Sequence, residues 1–159
     1  MIDNSKLTEL IIGAAIEVHR QTGPGLMESV YEECLGFELS QLGLKFRRQV
    51  QLPVSYKGIK LDCGFKMDLL VEDSVVLELK TVDQLLPIHS AQLLTYLKLS
   101  GKKVGLLINF NEAVLSKGVK RLVNHLKEPS KAPVTSAPSA LSDLDLSFLT
   151  LRLCVSAVK

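Results

Sequence analysis

Two apolar runs flanking a helical segment between residues 75 and 110 restrict the fold more than anything else in the chain. VVLELKT (75–81) and KVGLLINF (103–110) have the length and composition of buried strands. Between them, after Pro87, HSAQLLTYLKLSG carries Leu93, Leu94 and Leu97 at helical spacing, with Gly101 past its end. A strand, a helix and a strand in succession make a crossover, which sets the returning strand parallel to a neighbour.

The flanking segments fill in the rest. Leu7, Ile11, Ala14, Ala15 and Val18 share one stripe of a helix over about residues 5–20, which TGPG (22–25) breaks. A second helix is expected over 26–42, with Val30, Cys34, Phe37 and Leu42 inward and Gly43 as its stop. Strands are expected over 45–56 and 59–71, turning at YKGI, followed by the strand that opens at Val75 after EDS. A last helix is expected over 112–126. The order helix, helix, three strands, helix, strand, helix describes an α/β fold with a mixed four-stranded sheet flanked by helices, in one domain over 1–127. Composition shifts at EPSKAPVTSAPSALS, so 128–142 reads as a Pro/Ser/Ala-rich linker. The tail, 143–159, alternates apolar and polar residues and slips phase at Phe148 and Leu149; it fits a bulged extra strand joining a sheet edge or a second copy, or an unpaired tail.

Several classes are disfavoured. No apolar run reaches the roughly 20 residues of a membrane-spanning helix, and MIDNSKLTEL lacks the basic and apolar segments of a secretory signal, so the expectation is a cytoplasmic protein with no membrane partner. Cys34, Cys63 and Cys154 lack metal-type spacing and fit free or buried thiols. A net charge of +2 does not by itself announce a nucleic-acid binder, and the basic clusters KFRRQ (45–49) and SKGVKR (116–121) fit either solvated surface or phosphate contacts.

The chemistry concentrates in the charged residues of the third strand. Val76, Glu78 and Lys80 share one of its faces, and Val75, Leu77 and Leu79 the other. In FKMDLLVEDS, Asp68 falls opposite Glu78 on that same face if the connecting loop, Glu72 to Ser74, has an odd number of residues or a bulge restores the match; a two-residue loop separates them. Two carboxylates about 4 Å apart repel by up to about 4 kcal/mol at an effective dielectric near 20. A divalent cation offsets that repulsion, and carboxylate oxygens are ligands that Mg²⁺ takes together with water and phosphate. Lys80 is then placed to hold or deprotonate an attacking water and to steady charge on phosphorus oxygens. The plainer alternative is a structural ion pair in which Lys80 neutralises the two acids.

Asp68 followed by ELK on the next strand, within this element order, resembles the PD-(D/E)XK nuclease superfamily and its restriction-endonuclease-like core. GLMESVY, Gly25 to Tyr31, resembles the Gly-x-x-Glu-x-x-Tyr signature of the GxxExxY family within it, and the likeness extends over about residues 5–125. The resemblance implies an Mg²⁺- or Mn²⁺-dependent hydrolase of phosphodiester bonds, with DNA favoured over RNA as the nucleic-acid partner. It assigns Asp68, Glu78 and Glu28 as metal ligands and Lys80 as the group assisting water. QLLTY, with Gln92 and Tyr96 four apart on one helix face, resembles the Gln-x-x-x-Tyr element of RecB-like nucleases. Gln92 would orient water or phosphate, and Tyr96 either contacts the nucleic-acid backbone or packs in the core. Lys45, Arg47 and Arg48 are the candidate phosphate contacts.

Glu28 also has a local reason to stand in the first turn of its helix, where the dipole favours a carboxylate. Tyr31 lies on the same face and is expected to pack beside Glu28 or bond to it; Gly25 reads as a backbone requirement of the turn. His19 is expected in a supporting role, and His89 and His125 in none. Met67 stands where the superfamily's name has proline, and the fold is also used by silent modules. The rival readings are therefore a module that binds nucleic acid or protein with little or no hydrolysis, and an assembly role, such as a homo-oligomer, carried by the tail.

Overall fold

A computed structural model describes residues 3–124. The expected linker and tail, with His125 and Cys154, lie outside the described residues. Within them run helices α1 (Asn4–Thr22) and α2 (Glu28–Gln41), strands β1 (Phe46–Tyr56), β2 (Ile59–Val71) and β3 (Val75–Lys80), helix α3 (Pro87–Ser100) and strand β4 (Val104–Asn109), then a 3₁₀ turn (Leu115–Gly118) and strand β5 (Val119–Val123). The strands form one sheet in the order β1-β2-β3-β4-β5. β3 and β4 pair in parallel across the α3 crossover, and the other neighbours are antiparallel.

The sheet has five strands, not four, because the segment expected as a last helix forms β5. Val119 to Val123 pair with β4 from Ile108 back to Val104, and Asn124 N–H donates to Lys103 O at 2.8 Å. The apolar spacing of Val114, Leu115, Val119 and Leu122 suits a helix almost as well. What decides is the otherwise unpaired edge of β4, whose backbone groups need partners. Gly118 makes the turn into β5 possible: a Cβ there would stand 2.6 Å from Asn109 O.

Two apolar clusters cover the sheet. On one face the expected α1 stripe, Leu7, Ile11, Ala14, Ala15 and Val18, packs with α2 and with Leu69, Val71, Val75, Leu77, Leu79, Val104, Leu106 and Ile108. On the other, Leu93, Tyr96 and Leu97 of α3 pack on Leu52, Met67, Leu70, Val76 and Leu107. Gly105 lets α3 approach β4, since a Cβ there would lie 2.8 Å from a Leu93 methyl.

The phase of α2 differs from the expected one. Its buried residues are Tyr31, Glu32, Leu35, Gly36 and Leu39, whereas Val30, Phe37 and Leu42 are exposed and Cys34 only half-buried. Apolar residues are spread around this helix, so periodicity alone selects no face. Tyr31 sets the phase: its ring stacks on Phe110 with centroids 4.3 Å apart, and its hydroxyl donates to Gly23 O at 2.6 Å and accepts from Leu26 N–H at 3.2 Å.

Candidate active site

The hairpin between β2 and β3 answers the parity question. Its loop is Glu72 to Ser74, and Val71 pairs with Val75, Leu70 with Val76 and Leu69 with Leu77. One step further along that register, Asp68 falls across from Glu78. There the two strands part. β2 continues beside β1 only, while Glu78, Leu79 and Lys80 pair with Leu107, Ile108 and Asn109 of β4. At the fork a side chain serves in place of the ladder: Asp68 Oδ2 accepts from Leu79 N–H at 2.7 Å.

Glu78 is 2% exposed and Lys80 half-buried, and Lys80 Nζ donates to Glu78 Oε1 at 2.6 Å. The other carboxylate oxygen, Glu78 Oε2, is fully buried and has no hydrogen-bond partner among the described residues. Such a group costs free energy unless something compensates it. Burial and the charge of Asp68 push the Glu78 carboxyl up to about 7, against the pull of Lys80. Asp68 is raised too, chiefly by burial, although its bond from Leu79 N–H opposes the shift. Burial works to lower the Lys80 ammonium, but the bond to Glu78 and the charges of Glu78, Glu28 and Asp68 hold it above its ordinary value. Burial is the first cause of both raised carboxyls; beyond it, the charge of Glu28 raises Asp68 and Glu78, that of Asp68 raises Glu78, and all three hold the Lys80 ammonium up, a negative potential that favours a bound cation.

Glu28 opens α2 and reaches the end of β3, where Oε1 accepts from Thr81 N–H at 3.2 Å. It is exposed, and its charge is felt at Asp68, Glu78 and Lys80. Among the described residues no three His, Cys, Asp or Glu side chains form a ready metal cage. Mg²⁺ does not require one, since it binds through one or two carboxylates and keeps several waters. The unpartnered Glu78 oxygen beside Asp68 fits that donor set.

The supporting residues divide. Gln92 Nε2 donates to Tyr96 OH at 2.6 Å, while the Tyr96 ring is 3% exposed and packs against Phe65 at 5.5 Å between centroids. Of the two accounts for Tyr96, core packing is the observed one. Tyr31 bonds the α1–α2 loop, not Glu28, and Gly25 adopts φ 101°, so its requirement is conformational. His19 Nε2 lies 2.7 Å from Glu112 O and ties α1 to the segment after β4, and His89 Nδ1 accepts from Leu86 N–H at the start of α3.

The three residues of the basic cluster stand in different surroundings. Arg48 Nε donates to Glu32 Oε1 at 2.7 Å and its Nη1 lies 2.6 Å from Glu33 Oε1, so its charge is committed to α2. Arg47 pairs with Asp73 at 2.7 Å, and Lys45 with Arg47 lines a cleft beside Glu72 and Asp73. By register Arg47 lies across Leu70 from Val76, two residues before Glu78 and two strands away, while Lys45 lies at the Glu72–Ser74 turn. Sequence periodicity also passed over Glu32 and Gln49, whose Nε2 donates to Glu32 Oε2 at 2.7 Å. An acid four residues after Glu28 on one helix face was the available signal.

The sequence profile of the PD-(D/E)XK nuclease superfamily matches residues 5–122. No curated protein matches the chain. A solved structure described as "Crystal structure of SSO0001" aligns with a TM-score of 0.42 and 18% identity, over 77% of this chain and 67% of that one, too distant a likeness to carry an argument.

Proposed function

The chain belongs to the PD-(D/E)XK nuclease superfamily, and from that membership we propose that it hydrolyses phosphodiester bonds in DNA with Mg²⁺ or Mn²⁺ held by Asp68 and Glu78, and by Glu28 directly or through water. The observation that carries the reading is the buried, unpartnered Glu78 Oε2 within a group of three carboxylates and one ammonium. When bound, the cation supplies charge compensation and Lewis-acid polarisation at the phosphoryl oxygen. Lys80 stays protonated, so it orients the attacking water and stabilises charge on the phosphorus oxygens rather than taking the water's proton. Asp68 is steadied by Leu79 N–H, and Glu28 tethers the Thr81 end of β3 to α2. The Gln92 amide, half-buried and bonded to Tyr96, is suited to orient water or phosphate at the edge of the group. Lys45 and Arg47 lie farther off, as contacts for a flanking stretch of the phosphate backbone.

Purified protein should nick or degrade DNA with Mg²⁺ or Mn²⁺ and be inactive with chelator, and Asp68→Asn or Glu78→Gln should stop cleavage while leaving the fold intact. Parallel assays on RNA decide the substrate class. DNA binding without metal binding or turnover would instead favour a binding module on this fold, a reading to which the direct Lys80–Glu78 pair also lends itself. Equal activity in the variants would rule the assignment out.

A further inference from the structure

Among the described residues, the non-glycine positions with positive φ are Lys57, Glu72 and Asp73 in hairpin turns, and Gln49 at φ 51° in the middle of β1. A glutamine in that conformation crowds its own Cβ against the backbone, so surrounding contacts must hold it there. They come from α2. Glu32, 5% exposed, uses both oxygens: Oε2 accepts from Gln49 Nε2 and Oε1 from Arg48 Nε, each at 2.7 Å.

The kink has a consequence for the neighbouring strand. On a regular strand, residues two apart share a face. Around Gln49 they do not: Arg48 reaches α2, whereas Val50 and Leu52 pack with α3 on the opposite face. β2 changes face at the same rung, with Leu69 in the α1–α2 cluster and Met67 in the α3 cluster. Arg48 pairs with Leu69 and Val50 with Met67, which puts Gln49 across from Asp68. Asp68 is thus the residue at which β2 switches faces, leaves β3 and turns its carboxylate to Leu79 N–H.

We infer that Glu32 and Gln49 act as positioning residues for Asp68: the Glu32 carboxylate holds the left-handed kink at Gln49, and the kink sets the face change that aims the Asp68 carboxylate into the fork. The metal arm of this inference rests on the function proposed above; the structural arm does not. Glu32 and Glu28 stand four apart on α2, so one helix face steadies both Asp68, through β1, and the end of β3.

The test uses the full chain with Gln49→Ala, Gln49→Gly and Glu32→Gln, measured well below the melting temperature. Glycine accepts positive φ, so Gln49→Gly keeps the kink available and folds even if Gln49→Ala does not. Two readouts are taken: Mn²⁺ affinity by electron paramagnetic resonance, and hydrogen exchange at the Leu79 amide that Asp68 holds, with Leu77 as the reference. In Gln49→Ala and Glu32→Gln a Mn²⁺ affinity about ten- to a hundredfold weaker and Leu79 exchange faster by about tenfold or more are expected, with Leu77 unchanged, whereas Gln49→Gly stays close to wild type. Wild-type Leu79 exchange in folded Glu32→Gln or Gln49→Ala, equal acceleration at Leu77 and Leu79 in them, or acceleration in Gln49→Gly as large as in Gln49→Ala would overturn the inference. If wild-type protein binds no Mn²⁺, the proposed function fails while Leu79 exchange still decides the positioning role.

Discussion

On the face of the sheet covered by α1 and α2, β3 presents Val75, Leu77 and Leu79, each at most 1% exposed, whereas on the α3 side the same six residues present Val76, Glu78 and Lys80. Each leucine brought out of water on the first face contributes on the order of 1.5–3 kcal/mol. On the second, two charged groups lose hydration, and their mutual attraction only partly offsets the cost. One strand therefore serves two ends. Its alternation separates a dry, stabilising face from one that carries charge at the expense of stability, and where the two demands conflict, at Glu78 Oε2, a buried oxygen is left without a partner among the described residues.

The sharpest separation of the faces is expected at Lys80. Lys80→Ala should lower cleavage about a thousandfold, within the range for loss of a positioned charged group, while circular dichroism shows an intact fold; retained activity would detach the charged face from chemistry. Leu77→Ala should do the converse, costing about 2–5 kcal/mol in denaturant unfolding through the cavity it leaves, with activity per folded molecule preserved. If instead Leu77→Ala abolished activity in folded protein, the two faces would not be separable.

A pH series on metal-free protein probes the charged face alone. The folded chain holds the Glu78 proton up to about pH 7, where an unfolded chain releases it near 4.5. The stabilisation from this group is therefore full below pH 4.5, declines as pH rises toward about 7 and is flat above. Asp68, raised in the same direction, adds to the decline. Denaturant unfolding should show a loss of a few kcal/mol across that window, Glu78→Gln should flatten the curve, and Mn²⁺ at pH 7.5 should recover stability. A flat wild-type curve would mean that water reaches Glu78. The smallest effect belongs to the exposed pair at the β2–β3 turn: Arg47→Ala, which leaves Asp73 paired with Lys102, should change stability by less than about 1 kcal/mol.

Much of the frame was legible in the chain. The α1 stripe, the turn at Tyr56–Ile59, Pro87 at the start of α3, Gly101 at its end and the parallel return of β4 all follow from signals within a few residues of one another. So does the alternation that puts Glu78 and Lys80 on one face. The phase of α2 was not legible, because it depends on Tyr31 meeting Phe110, some eighty residues away. β5 was missed because its residues suit either state, and the open edge of β4 made the choice. Arg48 reads as a surface cation until α2 brings Glu32 and Glu33 against it.

Short-range rules, residue spacing and turn chemistry, were enough to determine which side chains share a face and which segments become strands, since these depend on a backbone whose periods are set by local sterics. Only the folded molecule decided that β2 leaves β3 at Asp68, that Gln49 takes a left-handed kink across from it, and that one Glu78 oxygen is shut away from water. Each of these balances a local cost against contacts from distant parts of the chain, and no reading of neighbours along the sequence contains that balance.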